Sequence, residues 1–262
     1  MAASDGGSTG PVKARPLVLG HRGARLEAPE NTLPAFRRAL ELGADGVELD
    51  VRMAADGEVI AFHDAQLERT TDGRGPVARA NLTELRRLDA GTHFSPDFAG
   101  TRICTLAEAL EVLAPAVLVN VELKGPAGRD TGLERRALGV VREAGMVDQV
   151  IFSSFHPLHL NRLRRLDRDI ALAWLYDPGL LRGAVLLLAR GLHLRALHPA
   201  RRAVTRRTVE QAHRHGLQVV PWTVNEKDDV CLLLAWGVDG LITDRPGQVR
   251  GWVDASAAAG HG

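Results

Sequence analysis

Residues 17–51 read LVLGHRGARLEAPENTLPAFRRALELGADGVELDV, one complete turn of a pattern that recurs along the chain. LVLG (17–20) and VELDV (47–51) are short, β-rich runs, while TLPAFRRALELG (32–43) places apolar residues at helical spacing and ends in Gly. Strand, helix, strand in that order is a parallel β/α unit, because parallel neighbours need a long crossover. The second strand carries Glu48 and Asp50 two residues apart, so both side chains share one face.

The unit repeats outward from this stretch. Further strands are expected at VLVNVEL (117–123), VIFSS (150–154), ALAWL (171–175), LRALH (194–198), LQVVPW (217–222) and GLITD (240–244). Helical periodicity marks 106–114, 132–145, 157–167, 180–191, 207–216 and 228–237. Eight strands with intervening helices predict an α/β fold, a closed (β/α)8 TIM barrel over residues 16–250. Residues 1–15 are Gly/Ser/Pro-rich without an apolar run and are expected to form a disordered tail, neither signal peptide nor anchor. Residues 251–262 are expected to be a C-terminal tail.

One segment breaks the repeat. VELDVRMA and EVIAFHD flank Ala-Asp-Gly, the signature of a hairpin. A turn centred on Asp56-Gly57 would set Asp50 opposite His63. Residues 64–104 are then polar and turn-rich, with one short helix at 83–88, and read as a small insertion after the second barrel strand that lies over the barrel mouth.

Composition narrows the function classes. Hydrophobic residues make up 45% and charged residues 25%, enough for a sizeable core. A net charge of +1 and the lack of a basic motif argue against a nucleic-acid partner. AVLLLA (184–189), bracketed by Arg182 and Arg190, is too short for stable membrane insertion. Cys104 and Cys231 lack ligand spacing and are read as small core residues of a reducing, cytoplasmic compartment. The pairs Arg201-Arg202 and Arg206-Arg207 read as a solvated helix face.

Residues at the C-terminal ends of barrel strands converge on one site. Here those ends carry His21 and Arg22 after strand one, Glu48 and Asp50 on strand two, and Asn120, Glu122 and Lys124 at period two on strand three. The hairpin returns His63-Asp64 to the same mouth. Carboxylates without cysteine or a close histidine pair make a hard oxygen site, suited to one divalent cation, Mg²⁺ or Ca²⁺, rather than zinc. Arg22 and Lys124 supply charge for an anionic substrate, and two imidazoles can divide the proton work. Metal, cation clamp and imidazoles together point to phosphoryl transfer.

The motifs HRGARLEAPENTLPAF (21–36), GADGVELDVRMAADGEVIAFHDAQLERTTDGRG (43–75), VNVELKG (119–125), SSFHP (153–157), VPWTVN (220–225) and GVDGLITDRP (237–246) resemble, in order, the glycerophosphodiester phosphodiesterase family, in its short bacterial cytoplasmic type. The resemblance implies hydrolysis of glycerophosphodiesters to sn-glycerol 3-phosphate and an alcohol. It assigns His21 and His63 as general acid and base, Glu48, Asp50 and Glu122 as metal ligands, and Arg22 and Lys124 as phosphate-binding groups. Phe155 and Trp222 match aromatics that line the substrate pocket, although core packing at strand ends explains them nearly as well. Asn31 matches too, with both a site role and a helix-entry role through Thr32 open. A monomer or homodimer in glycerol and lipid metabolism is expected. The family's Ile-Pro-Thr-Leu before the third barrel strand reads Ile103-Cys104-Thr105-Leu106 here, a structural turn away from the chemistry. A lysophospholipase D-type reaction on lysophospholipids in the same site is the alternative. The order of acid and base, and whether water or the glycerol 2-hydroxyl attacks first, stay open.

Overall fold

The computed structural model describes residues 15–126, 128–179 and 182–259. The chain runs through β1 (Leu17–His21), α1 (Leu33–Glu41), β2 (Gly46–Met53), β3 (Val59–Ala61), α2 (Leu82–Leu85), α3 (Leu106–Leu113), β4 (Leu118–Leu123), α4 (Leu133–Glu143) and β5 (Val150–Ser154). It continues through α5 (Pro157–Leu166), β6 (Ala171–Tyr176), α6 (Arg182–Gly191), β7 (Ala196–Pro199), α7 (Arg206–Arg214), β8 (Gln218–Val219), α8 (Lys227–Trp236), β9 (Gly240–Thr243) and α9 (Pro246–Ala259). Eight strands lie parallel in the order β8-β7-β6-β5-β4-β2-β1-β9, with β3 antiparallel on β2. Amide bonds from Asp239 to the Val219 carbonyl and from Ile242 to that of Pro221 bring β9 beside β8. The architecture is the expected TIM barrel. The run LQVVPW keeps regular pairing only over Gln218–Val219, since Pro221 has no N–H to donate.

Period-two alternation sorts the core. Val47, Leu49 and Val51 of β2 pack outward under the helices together with Val119 and Val121 of β4. Leu19, Val220 and Ile242 form one cluster inside the ring, and Ile151, Ala173 and Ala196 another. Helix α1 starts where Thr32 Oγ1 accepts the Ala35 amide, and it buries Ala35, Phe36 and Ala39. The insertion has its own small core, with Ile60, Phe62, Leu67, Val77, Leu85 and Ile103. Strand β3 therefore serves two cores: Val59 and Ala61 face the barrel's, Ile60 and Phe62 the insertion's.

Several expectations need correction. The hairpin pairs Val51 with Ala61 and Met53 with Val59, so Asp50 stands opposite Phe62 rather than His63. The loop is the three residues 55–57 closed by the Ala54 amide on the Glu58 carbonyl, with Gly57 left-handed at φ 85°, which centres the turn on Asp56. The short helix of the insertion is Leu82–Leu85, set one residue early by an Asn81–Glu84 capping box. Residues 251–259, read as a tail, continue α9, which Arg250 anchors through ion pairs to Asp45 (2.9 Å) and Asp254 (2.8 Å). Cys104 is buried as expected, but Cys231 lies exposed on α8. Arg201 is not a solvated side chain: it pairs with Asp229 at 2.5 Å and lies over the Trp236 ring. The expected N-terminal tail falls, apart from Arg15, outside the described residues. Among the described residues, no helix is long and apolar enough to cross a membrane.

His198 is fully buried inside the barrel, with Nδ1 3.4 Å from Asn120 Nδ2, and burial pulls its pKa down to about 3. A depressed folded pKa means the unfolded chain takes up the proton first, so stability present above about pH 6.5 is lost as pH falls. Acidification from pH 7 to pH 5 is expected to remove about 2 kcal/mol through this group alone. Urea titrations at the two pH values should show that difference shrink in His198→Gln.

Candidate active site

The strand ends assemble the polar residues the alternation singled out. Glu48, Asp50 and Glu122 are 3%, 1% and 6% exposed, and each offers a carboxylate oxygen within 4.8 Å of the others. Lys124 Nζ sits 2.5 Å from Glu122 Oε1 and 3.3 Å from Asp50 Oδ1. Arg22 Nε lies 3.1 Å from Asp50 Oδ2, its NH1 pairs with Glu30 at 2.8 Å, and its backbone amide donates to Glu48 Oε2 at 3.0 Å. That last contact requires the left-handed backbone at Arg22, φ 55°. Asn31, also left-handed, clamps Asp50 twice: its Nδ2 donates to Oδ2 at 2.9 Å and its Oδ1 accepts the Asp50 amide at 3.1 Å. The PENT segment thus plays both roles considered for it, with Asn31 in the site and Thr32 at the helix entry.

Charge and burial set the protonation balance. Burial favours the neutral form of Asp50, but Lys124, Arg22, His63 and the Asn31 amide outweigh it and hold the carboxyl below its ordinary range. Glu48 is pushed well above its ordinary value by burial and then by Asp50 and Glu122. Glu122 is raised to about 7 by burial and Asp50, against the pull of Lys124. Glu48 Oε1 and Asp50 Oδ1 are buried and make no hydrogen bond within the chain. Clustered carboxylates whose oxygens are bare, as Glu48 Oε1 is, or met only by the Lys124 ammonium, as Asp50 Oδ1 is, are the donor set of a hard divalent cation, so the residues present fit such an ion.

Two histidines flank the triad, each backed by an aspartate. His21 Nδ1 lies 2.7 Å from Asp244 Oδ1, and its Nε2 is 3.9 Å from Glu48 Oε2. His63 Nδ1 lies 2.5 Å from Asp64 Oδ1; burial lowers the His63 pKa, with Asp50 opposing and Arg22 adding to the effect. A carboxylate can only accept, so each Nδ1 carries the proton and each Nε2 is the nitrogen the aspartate leaves free. Phe155 and Trp222 meet edge to face, centroids 5.4 Å apart, and Lys124 Nζ lies 5.6 Å from the centre of the Phe155 ring. Trp222 also packs on the interior cluster of Leu19, Val220 and Ile242, so it serves the core as well as the mouth.

A second ring of residues escaped the sequence reading. Asp244 is held by Asn225, whose Nδ2 donates to Asp244 Oδ2 at 2.8 Å and whose Oδ1 accepts the Asp244 amide at 2.9 Å. Glu30 bridges Arg22 to Arg69 of the insertion, and Arg69 also pairs with Asp64; Arg69 and Arg22, against burial, bring Glu30 down to about 2. These residues sit in loops, where no periodicity places a side chain; only their location inside PENT, VPWTVN, ITDRP and, for Arg69, LERTTDG marked them.

A TIM barrel with a buried carboxylate triad, two aspartate-backed histidines and two cations at its mouth defines a phosphodiester-hydrolysing class of enzyme. Residues 21–248 match the glycerophosphoryl diester phosphodiesterase family, and the chain belongs to it. The chain is 38% identical to the glycerophosphodiester phosphodiesterase of Caldanaerobacter subterraneus subsp. tengcongensis, over 88% of this chain and 94% of that protein. A solved Oleispira antarctica phosphodiesterase, in complex with its product sn-glycerol-3-phosphate, superposes with a TM-score of 0.84 at 30% identity, covering 92% of this chain and 97% of that one. The glycerophosphodiester phosphodiesterase of Agrobacterium tumefaciens gives a TM-score of 0.78 at 29% identity, over 88% and 97% of the two chains. The protein is accordingly a phosphoric diester hydrolase of the glycerophosphodiester phosphodiesterase type.

The HRG turn is the tightest geometric requirement of the site. Gly23 has φ 86°, and a Cβ there would lie 2.6 Å from the Ala35 carbonyl carbon. Gly23→Ala is expected to cost about 3 kcal/mol or more in urea unfolding, from left-handed strain plus overpacking against α1.

Proposed function

We propose that this enzyme cleaves glycerol-3-phosphoryl alcohols to sn-glycerol 3-phosphate and the free alcohol by acid–base catalysis between His21 and His63. Glu48, Asp50 and Glu122 would hold one divalent cation, Mg²⁺ or Ca²⁺. The observation that carries this reading is the triad itself, three buried carboxylates with ligand oxygens within 4.8 Å, with Glu48 Oε1 left without a partner and Asp50 Oδ1 met only by the Lys124 ammonium. Three carboxylates against Arg22 and Lys124 leave one negative charge, and a phosphodiester brings another. A divalent cation offsets both. When bound, that ion would supply Lewis-acid polarisation of a phosphate oxygen.

The chain's own residues account for the rest. Arg22 and Lys124 flank the triad and hold the diester's charge, while Phe155 and Trp222 offer an apolar wall for the glycerol carbons. One imidazole takes the proton of the attacking hydroxyl through Nε2. The other, entering as an imidazolium protonated on both nitrogens, gives its Nε2 proton to the departing alkoxide as the P–O bond to the alcohol breaks. Water completes the hydrolysis, either as the attacking hydroxyl or by opening the cyclic phosphate that the glycerol 2-hydroxyl would form. Asp244 and Asp64 keep both rings in the required tautomer and steady each imidazolium as it forms.

EDTA-stripped enzyme should release no glycerol 3-phosphate from glycerophosphocholine and should regain turnover with Mg²⁺ or Ca²⁺. His21→Ala and His63→Ala should each lower kcat by about 10²–10⁴ with the fold intact. Undiminished turnover in EDTA, or in both variants, would overturn the mechanism. Cleavage confined to lysophospholipids would favour the lysophospholipase D-type reaction instead. Cation affinity carries its own pH signature. Because burial and Asp50 raise Glu122 to about 7, a proton occupies a ligand below that value and must leave on binding. Calorimetric affinity should therefore fall as pH drops from 8 to 6, with proton release measurable in buffers of different ionisation enthalpy.

A further inference from the structure

A groove of about 500 Å³ opens beside the triad, between the insertion and the loop that follows β4. Met53, Ala65 and Val77 form one wall, and Gly125, Arg129 and Leu133 the other. Lys124, the same lysine that pairs with Asp50 and Glu122, also lines the groove, so the groove and the carboxylate site share that residue. The aromatic pair Phe155–Trp222 lies at the mouth as well, with the Phe155 ring against Lys124. A diester seated at Lys124 with its glycerol on that aromatic wall has the groove available for its alcohol half.

The groove carries an unbalanced positive charge. Arg52 continues the period-two series Glu48, Asp50 on β2 and lines the groove half-buried. Its Nε donates to the His63 carbonyl at 2.8 Å, and among the described residues no carboxylate lies within ion-pair distance of its guanidinium. Burial lowers its pKa, with Asp50, Asp64 and Glu122 opposing only from a distance. Arg129 stands exposed on the opposite wall, likewise without an ion-pair partner among the described residues. The groove's carboxylate, Asp130, accepts the Gly132 amide at 2.9 Å. A half-buried guanidinium without a counter-ion is a costly arrangement unless an anion joins it. Arginine's planar fork also suits phosphate and carboxylate oxygens better than a neutral hydroxyl.

We infer that this groove is the subsite for the alcohol half of the diester, and that Arg52 and Arg129 select alcohols bearing their own phosphate or carboxylate. The inference rests on the catalytic reading above and adds to it the class of substrate.

The test is a matched pair of substrates for the metal-replete enzyme: glycerophosphoglycerol, and the same diester with a phosphate on its terminal hydroxyl. The phosphorylated compound is expected to show kcat/KM about tenfold higher at low salt, a margin that shrinks as ionic strength rises. Arg52→Gln and Arg129→Gln should each cut that ratio by about threefold or more. General damage to the fold lowers both rates and leaves the ratio alone. Arg129, exposed and, among the described residues, without a hydrogen bond to His63, guards against an indirect effect of Arg52 on the catalytic ring. A wild-type ratio near one, or a ratio unchanged in both variants, would overturn the subsite while leaving the hydrolysis intact. Failure to cleave either compound would remove the catalytic reading and the subsite with it.

Discussion

Three carboxylates crowded into one buried end of a barrel are the constraint that the surrounding structure answers. Like charges about 4 Å apart repel by roughly 4 kcal/mol at the effective dielectric of a protein site. Around Glu48, Asp50 and Glu122 the chain places Lys124, Arg22 and the amide of Asn31. Both Arg22 and Asn31 adopt left-handed backbone to do so, and Gly23 makes the turn between strand and helix tight enough to bring them there. Left-handed non-glycine residues cost on the order of 1–2 kcal/mol each. Contacts to buried carboxylates are of that magnitude or larger, so the strain of the HRG and PENT segments is offset where it arises.

Compensation extends outward as a chain of alternating charge. His21 pairs with Asp244 and Arg25 lies 3.7 Å from Asp244; Glu30 meets Arg25 at 3.5 Å and Arg69 at 2.7 Å; Arg69 pairs with Asp64, and Asp64 with His63. The two imidazoles, brought to the mouth by β1 and by the neighbouring hairpin, are thereby joined through one network. Neutralising a central member such as Glu30 would leave Arg22, Arg25 and Arg69 crowded around a missing carboxylate. Their repulsion would disturb both histidines, although Glu30 touches neither.

Regular elements announced themselves in the sequence and loops did not. Alternation at period two was enough to place Glu48, Asp50, Glu122 and Lys124 at one barrel end, because strand geometry leaves a side chain only two directions. The hairpin register was off by one, since Ala-Asp-Gly can turn over two residues or three with Gly57 left-handed in both, and the right-handed Asp56 with the Ala54–Glu58 closure makes it three. Helix α9 was hidden by its Gly and Ala-Ser content; it is fixed by Arg250 on Asp45, a contact 205 residues apart in sequence. Asp244, Asn225, Glu30 and Arg69 act through loop backbones whose paths depend on the completed barrel. Their chemistry was readable as residue type, but their partners were not.

The insertion explains how one barrel end can hold a fixed reaction and a variable substrate. Because Ile60 and Phe62 seat it on its own core, residues 64–103 can change without disturbing the packing under Val47, Leu49 and Val51, which only Cys104 at the end of the insertion joins. Two fixed points tie it to the chemistry: His63-Asp64 at its entrance and Arg69 on Glu30. The rest of it, including the Ala65 and Val77 side of the groove beside Lys124, holds none of the residues proposed to act in catalysis. On the proposed reading, substrate selection can therefore reside in side chains that meet only the alcohol half of a diester, while the carboxylates, cations and imidazoles proposed to break the bond stay on the barrel and its hairpin.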